Sequence, residues 1–439
     1  CNTTQNTDNM KQHSRIVRIL CVTCLTALVG CASHPRSKKN IGLIQSDKDR
    51  TEMGSTLSCQ DTFSVIDFTE IEYSNIPQKL SEFADSIAYI RLDNEPVIPD
   101  AWNNAVVVSD DNIFIDSELI YKYNLDGKFV LSLFQKGYGH REAVKYTRGI
   151  YNFDKKYVAF RNNVGEFYNV YSFNGDFVGF QNCKEDEDVN DKFDGEDAKG
   201  SKKICAYIDN IQAYCYNYKS LGAKINTLVN PNGPVLLYAK DMSNDSVVYK
   251  LKNYHFDSKA LEKRRTTQSV NYPVDCGSLD SAFWVRPVFL DTIYRTSDFK
   301  SVRPWYVLKQ KSTAADYECK LRAMMGDDGK ELNREGVWVV YALEDGILFG
   351  YDAKKVSGIG YCKAGGKAKT FSESFENDLD GFLKKLTIPG LKTNGLYTKN
   401  GYLYMLVRAE EFLTEGSKSP FPDLTKDSNP VVVKLRLKK

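Results

Sequence analysis

The octapeptide Tyr-Asn-Leu-Asp-Gly-Lys-Phe-Val at 123–130 recurs as Tyr-Ser-Phe-Asn-Gly-Asp-Phe-Val at 171–178, a spacing of 48 residues. Each copy reads as strand, tight turn, strand. Asp-Gly and Asn-Gly tolerate the positive φ that a two-residue hairpin turn demands, and no short sequence signals a hairpin more strongly. A second recurrence is an acid, a small residue or aliphatics, then Tyr: Glu118 to Tyr121, Asp245 to Tyr249 and Asp291 to Tyr294. Hairpins repeating every 40 to 50 residues are the signature of propeller blades, since one blade cannot bury its own apolar face and must stack on the next.

The rest of the chain agrees with that class. From Ile87 onward, short β-rich runs such as 106–117, 157–162, 235–240 and 337–343 alternate with turn signals. Tyr (27) and Phe (23) far outnumber Trp (4), a bias that suits half-buried pleated surfaces. Helical periodicity is confined to Ala314–Met325 and one turn near Leu80–Phe83. The span from Ile87 to Leu437 accommodates six blades with insertions, or seven at the standard length of about 45 residues. Closing the ring requires Pro430–Leu437 to share a sheet with Phe68–Tyr73 or Ala88–Leu92, which would hide the terminal edges.

The N-terminal region reads as an address. Residues 1–9 look like translated upstream sequence, because Met10 supplies a start. Lys11, Arg15 and Arg18 precede the apolar run Ile19–Val29, which is shorter than the roughly 20 residues needed to span a bilayer and suits a signal peptide over 10–30. Leu28-Val29-Gly30-Cys31 resembles a bacterial lipobox, which makes Cys31 the expected lipidation site and the membrane a partner through that lipid. The polar segment 31–60 then serves as a flexible tether to a body over 61–439. Its first charges are basic (Arg36, Lys38, Lys39).

Charge and cysteine usage narrow the function classes. Lys and Arg number 59 against 57 Asp and Glu, and removing the signal region balances them, so there is no electrostatic footprint for nucleic acid. Beyond Cys31, Cys59, Cys183, Cys205, Cys215, Cys276, Cys319 and Cys362 are scattered without paired ligand spacing, so neither zinc nor any other metal or cofactor is expected. Cys205 and Cys215 are the pair best placed for a disulfide. Lys184–Lys203 is strongly acidic, but it fails the ligand register of an EF-hand and reads as a solvated loop.

Three stretches resemble the six-bladed β-propeller lipoproteins of Bacteroidota, a TolB-like or NHL-like group. They are Asn75–Leu92 (NIPQKLSEFADSIAYIRL), Pro287–Tyr294 leading to Arg303-Pro-Trp-Tyr306, and Asp427–Leu435 with its Asn429-Pro-Val. The resemblance implies six four-stranded antiparallel blades and an envelope location at the outer membrane, with basic tether charges favouring the periplasmic face. It implies no reaction. Where relatives carry G-x-G-P-G-E-Y, Gly137, Gly139 and Glu142 match, while His140, Arg141 and Ala143 depart.

Two clusters carry candidate ligand-binding chemistry. Tyr138, His140, Arg141, Glu142 and Arg148 combine hydrogen-bonding and stacking groups on one inter-blade connection, although Gly137 and Gly139 also fit a plain turn. Trp284 and Arg286, with Arg295 and Trp305, form the second, although Trp in a blade usually packs between sheets. The expectation is a non-catalytic binding or protein-interaction scaffold for an envelope protein or glycan. The alternative is a propeller enzyme, such as a polysaccharide lyase or an NHL-type hydrolase or lyase. With His140 and His255 alone outside the leader and tether, no catalytic residue is assigned.

Overall fold

The chain divides into Cys1–Gln45 and Ser46–Lys439. The computed structural model describes residues 63–438, apart from 100–103, 138, 140, 143–148, 162–166, 183–201, 209–210, 217–234, 242–245, 253–274, 281, 287–290, 299–300, 312–334, 354–355, 389–390, 392–394 and 415. It gives the backbone alone for strand residues 161, 167–168, 181–182 and those within 202–252. Cys31, the tether, Cys183, His255, Cys319, residues 184–201 of the acidic segment and the Ala314–Met325 helix therefore lie outside the described residues, while Lys202 and Lys203 open β12.

The described residues are all-β. The strands are β1 (Ser64–Asp67), β2 (Glu72–Tyr73) and β3 (Ala84–Arg91); β4 (Ala105–Val108), β5 (Asn112–Asp116), β6 (Ile120–Asn124) and β7 (Phe129–Ser132); β8 (Ile150–Asn152), β9 (Tyr157–Arg161), β10 (Phe167–Ser172) and β11 (Phe177–Asn182); and β12 (Lys202–Ile208), β13 (Ile211–Tyr216), β14 (Val235–Asp241) and β15 (Ser246–Lys252). They continue with β16 (Asp275–Leu279), β17 (Ala282–Arg286), β18 (Thr292–Thr296) and β19 (Arg303–Lys309); β20 (Gly336–Leu343), β21 (Gly346–Ala353), β22 (Val356–Lys363) and β23 (Thr370–Phe371); β24 (Phe375–Glu376) and β25 (Lys385–Leu386); and β26 (Tyr397–Lys399), β27 (Tyr402–Val407) and β28 (Val431–Leu437). Leu80–Glu82 is a single 3-10 turn, where the sequence indicates one.

Strands β4–β7, β8–β11 and β12–β15 each form a four-stranded antiparallel meander, and β20–β22 form a three-stranded one. A nine-stranded sheet runs β1-β19-β18-β17-β16-β26-β27-β28-β3. It consists of two four-stranded antiparallel runs joined by one parallel pair, Leu279 with Thr398, and extended by β1. Separate four-stranded units are therefore merged here, because β16 and β26 come close enough to bond.

The repeated hairpins are built alike. Asn124 Oδ1 accepts from the Asp126 and Lys128 N–H groups at 3.0 and 2.9 Å, and Gly127 sits at φ +82°. In the second copy Ser172 Oγ accepts from Asn174 and Asp176, both at 3.2 Å, and Gly175 sits at φ +86°. The pairing register slips at the same place in both, beside Tyr123 and beside Tyr171. Both tyrosines are buried between sheets. At Gly127 an added Cβ would lie 1.9 Å from the Arg91 carbonyl, so the close approach of the turn to β3 also requires glycine.

The segment before β4 acts as a strap. β1 pairs in parallel with β19, β2 in parallel with β23, and β3 antiparallel with β28. Its apolar residues Ile66, Phe68, Leu80 and Phe83 are fully buried. Phe68 packs edge-on to Phe349 at 4.9 Å. Asp67 accepts from Thr69 and from Lys309 Nζ at 2.9 Å, which holds its carboxyl well below the usual range. Of the two closing partners considered for the C-terminal strand, β3 is the one used, with Leu435 opposite Ile87.

Asn429 fixes that closure. Its Oδ1 accepts from Ile98 N–H at 2.8 Å, and its Nδ2 donates to the carbonyls of Asp93 and Pro96 at 2.6 and 2.9 Å. The residue is 4% exposed, so each group would be orphaned without it. Asn429→Ala is expected to destabilise the protein by about 2–4 kcal/mol, with an unchanged denaturant m-value, in urea unfolding.

Candidate functional site

The glycine-rich connection after β7 is folded around a carboxylate. Glu142 Oε2 accepts from the Gly139 N–H at 2.8 Å, and the Glu142 N–H donates back to the Gly139 carbonyl at 3.0 Å. A Cβ at Gly137 would lie 1.9 Å from that Oε2, so the glycine makes room for Glu142. Arg141 is exposed, with its guanidinium 4.8 Å from the Phe177 ring centroid, and its carbonyl accepts from the Tyr171 hydroxyl. The connection is thereby pinned to β10 and β11. Lys136 pairs with Glu118 at 2.7 Å. Tyr138, His140 and Arg148 lie outside the described residues.

Trp284 and Arg286 lie between sheets. Trp284 is fully buried, edge-on to Tyr341 at 5.4 Å, above Gly277, where a Cβ would come within 2.8 Å of its Nε1. Arg286 is 4% exposed and directly opposite Asp275 in the β16–β17 register. Its Nη1 lies 3.1 Å from Asp275 Oδ2, and its Nη2 donates to the Val337 carbonyl at 3.1 Å. Asp275 also accepts from the Val340 N–H at 3.2 Å. One buried ion pair thus ties the β16–β19 run to β20. Nearby, Tyr341 Oη and Thr398 Oγ1 are 2.9 Å apart, so β20 reaches β26 as well.

Arg295 and Trp305 face a different environment. Arg295 makes a two-point bond to Glu344 at 2.8 and 2.7 Å and lies 4.7 Å from the Trp305 ring centroid. Trp305 stacks on Tyr306 at 4.3 Å. With ring and guanidinium both occupied, these side chains bind sheet to turn. Cys276 and Cys362 carry free thiols, and burial pushes the Cys362 thiol up to about 11. Cys205 and Cys215 are on adjacent strands, β12 and β13, with side chains outside the described residues. Among the described residues no group of His, Cys, Asp and Glu could hold a metal ion.

Comparison with protein families matches residues 63–436 to the domain of unknown function DUF4934. The chain belongs to that family. Among solved structures, BF0058 of Bacteroides fragilis, designated an exported protein, superposes with a TM-score of 0.56 at 13% identity, covering 86% of this chain and all of that one. A DUF4221 member from Bacteroides vulgatus gives a TM-score of 0.46 at 10% identity over 81% of this chain and 97% of its own. Virginiamycin B lyase from Staphylococcus aureus gives 0.34 at 11% identity over 80% and 99%. No curated protein matches. The likeness to BF0058 concerns the fold alone, and with the meander sheets it gives this DUF4934 chain a propeller-like all-β architecture.

The sequence reading misses Asp275, the partner of Arg286, because nothing in Asp-Cys-Gly marks an ion pair formed across a hairpin. Burial raises the Asp275 carboxyl to about 7, against the pull of Arg286 and the Val340 N–H. Between about pH 4 and 7 the native state then holds a proton that the unfolded chain has released, so stability from this group falls as pH rises through that window. Asp275→Asn should remove that slope when thermal unfolding is followed from pH 4 to 8. At pH 8, Arg286→Ala should cost about 3–5 kcal/mol, because it leaves the buried Asp275 carboxyl and the Val337 carbonyl without their partner. Arg295→Ala, at the surface, should cost about 1 kcal/mol or less in the same assay.

Proposed function

We propose that this DUF4934 protein is an envelope lipoprotein, anchored through Cys31 to the outer membrane on its periplasmic face, whose strands form a six-bladed propeller. The propeller acts as a non-catalytic binding scaffold for an envelope protein or glycan. On this reading residues 10–30 are the signal peptide, 31–60 the tether and 61–439 the propeller. Six groups of four strands support the blade count: β4–β7, β8–β11, β12–β15, β16–β19, β20–β23 and β26–β28 with β3. β23 joins β22 through the neighbouring bridge between Ile359 and Ser372. The designation of BF0058 as exported is in keeping with an envelope location.

The observation that carries the binding role is an asymmetry in the connections. First-to-second strand turns are 109–111, 153–156, 209–210, 280–281, 344–345 and 400–401. Third-to-fourth connections, which leave the same end of each antiparallel sheet, are 125–128, 173–176, 242–245, 297–302 and 364–369. Every long connection leaves the opposite end: 92–104, 133–149, 183–201, 217–234, 253–274, 310–335, 372–396 and 408–430. Long connections on a rigid scaffold are where recognition groups are carried, because they vary at little cost to the sheets. Tyr138, His140, Arg141, Glu142 and Arg148 all belong to one of them.

The strap orients that end. β1 runs parallel to β19, which starts at the short-turn end, so Ser64 lies at that end, opposite the long connections. Leu279 pairs with Thr398 and Tyr341 bonds Thr398, which ties β16, β20 and β26 together, and recognition is assigned to the long-connection end.

Palmitate-analogue labelling tests the anchor: wild type is expected to label and Cys31→Ser to lose both label and membrane fractionation. Gentle crosslinking of the lipidated chain should then yield one stoichiometric partner. Polysaccharide cleavage that disappears in His140→Ala or His255→Ala would overturn the non-catalytic reading.

A further inference from the structure

One part of the long-connection end is described nearly in full. Connection 372–396 folds back through β24 and β25, and connection 408–430 carries a 3-10 turn, Ala409–Leu413. The two are knitted together: Lys418 N–H donates to the Phe382 carbonyl at 2.7 Å, and Lys384 N–H donates to Ser417 Oγ at 3.2 Å. Beneath them Tyr89 of β3 meets Phe382 and Phe412 edge-on at 5.9 and 5.4 Å, and Leu383, Leu386 and Phe412 are buried. This support holds the surface in one shape before any partner arrives.

That surface is apolar at its middle and cationic at its flanks. Phe382 is 37% exposed and Leu413 48%. Lys384, whose stem lies against Gly416, and Lys418 are both exposed, and neither has an ion-pair partner among the described residues. Among the described residues, the neighbouring carboxylates Glu410 and Asp380 are engaged elsewhere. Glu410 pairs with Arg408 at 3.2 Å, and Asp380 accepts from Asn377 Nδ2 at 2.8 Å and from Phe382 N–H at 3.0 Å. Burial raises the Glu411 carboxyl above the usual carboxylate range.

We propose that Phe382 and Leu413, flanked by Lys384 and Lys418, form a docking patch for an acidic protein segment that places an apolar side chain between its carboxylates. The proposal rests on the reading that the long-connection end is the recognition end, and it names the partner chemistry there. Apolar contact at the centre supplies affinity because the platform is already ordered, and the two lysines supply orientation and selection against basic segments. A glycan would find two apolar side chains where it needs a dense array of hydrogen-bonding groups.

The test places p-benzoylphenylalanine at Leu413 of the full lipidated chain, in separate strains at Arg141 and Asn400, and maps crosslinked peptides after irradiation in cells. The expected result is an adduct from position 413 to one protein, on a peptide with Asp or Glu beside an apolar residue. Lys384→Glu combined with Lys418→Glu should lower its yield about tenfold, and reversing the partner's carboxylates should restore it. Circular dichroism and melting of the double variant check that it folds; if it does not, Lys384→Gln with Lys418→Gln and raised salt give the same readout. Adducts to lipid or glycan, no adduct from 413, or a yield indifferent to charge reversal would each overturn the patch. Adducts from 141 alone would sink this patch but leave the recognition end standing. Adducts from 400 alone would sink the choice of end itself.

Discussion

The antiparallel ladder between β3 and β28 is the constraint on which the rest depends. It joins a strand that begins at Ala84 to one that ends at Leu437, so both ends of the folded body are secured by one set of backbone hydrogen bonds. Once the two are registered, β26 and β27 are fixed beside them, and Thr398 is brought to Leu279 and Tyr341. Asn429 carries the ladder into the next connection by bonding Asp93, Pro96 and Ile98 at once. Remove the ladder and β28 would be left as an outer strand, as β7 and β11 already are in their own sheets, an arrangement that invites association between chains.

Adhesion between sheets uses two kinds of contact. Most of the seam is aromatic and aliphatic, as where Phe114 meets Phe173 and Tyr151, or where Phe134 lies 4.2 Å from Phe160. Polar ties punctuate it: the Asp275–Arg286 pair bonds the β20 backbone at Val337 and Val340 in the interior, and Arg295 pairs with Glu344 nearer the surface. The interior tie is the more consequential, because its charges have no solvent to fall back on. The long connections leave this fixed body at one end only, which is why the proposed recognition role is placed there.

Much of the architecture is legible in the sequence because hairpin chemistry is local. Asp126-Gly127 and Asn174-Gly175 announce their turns within four residues, and the repeated Tyr positions follow from the pleat. The partnership of Ala88–Leu92 with Pro430–Leu437 could be narrowed to two options but not decided, since register is set by packing across the whole chain. The parallel contacts of β1 and β2 left no local mark at all. Site chemistry was less legible still. Arg286 and Trp284 have the composition of a binding cluster, and only their contacts with Val337 and Tyr341 of β20 show that they face another sheet. Glu142 matches a family motif, yet its bond to Gly139 is a consequence of how the turn closes. Phe382 and Leu413 carry no signal, because an isolated Phe or Leu in a connection has the same appearance whether it is covered or bare.

The strap has a consequence for the order in which the molecule can be assembled. Ile66, Phe68, Leu80 and Phe83 are made early, yet the strands that cover them, β19, β23 and β28, come late. Until Leu437 has emerged, these side chains have no place to go, and β3 has no ladder to join. The meanders β4–β7 and β8–β11 can form ahead of the C-terminal strands, since their contacts are near in sequence, but the strap must wait. Assembly therefore ends at the strap: the first strands of the body are among the last to be covered. Throughout that interval the nascent body carries a sticky leading segment that has to be kept from other chains.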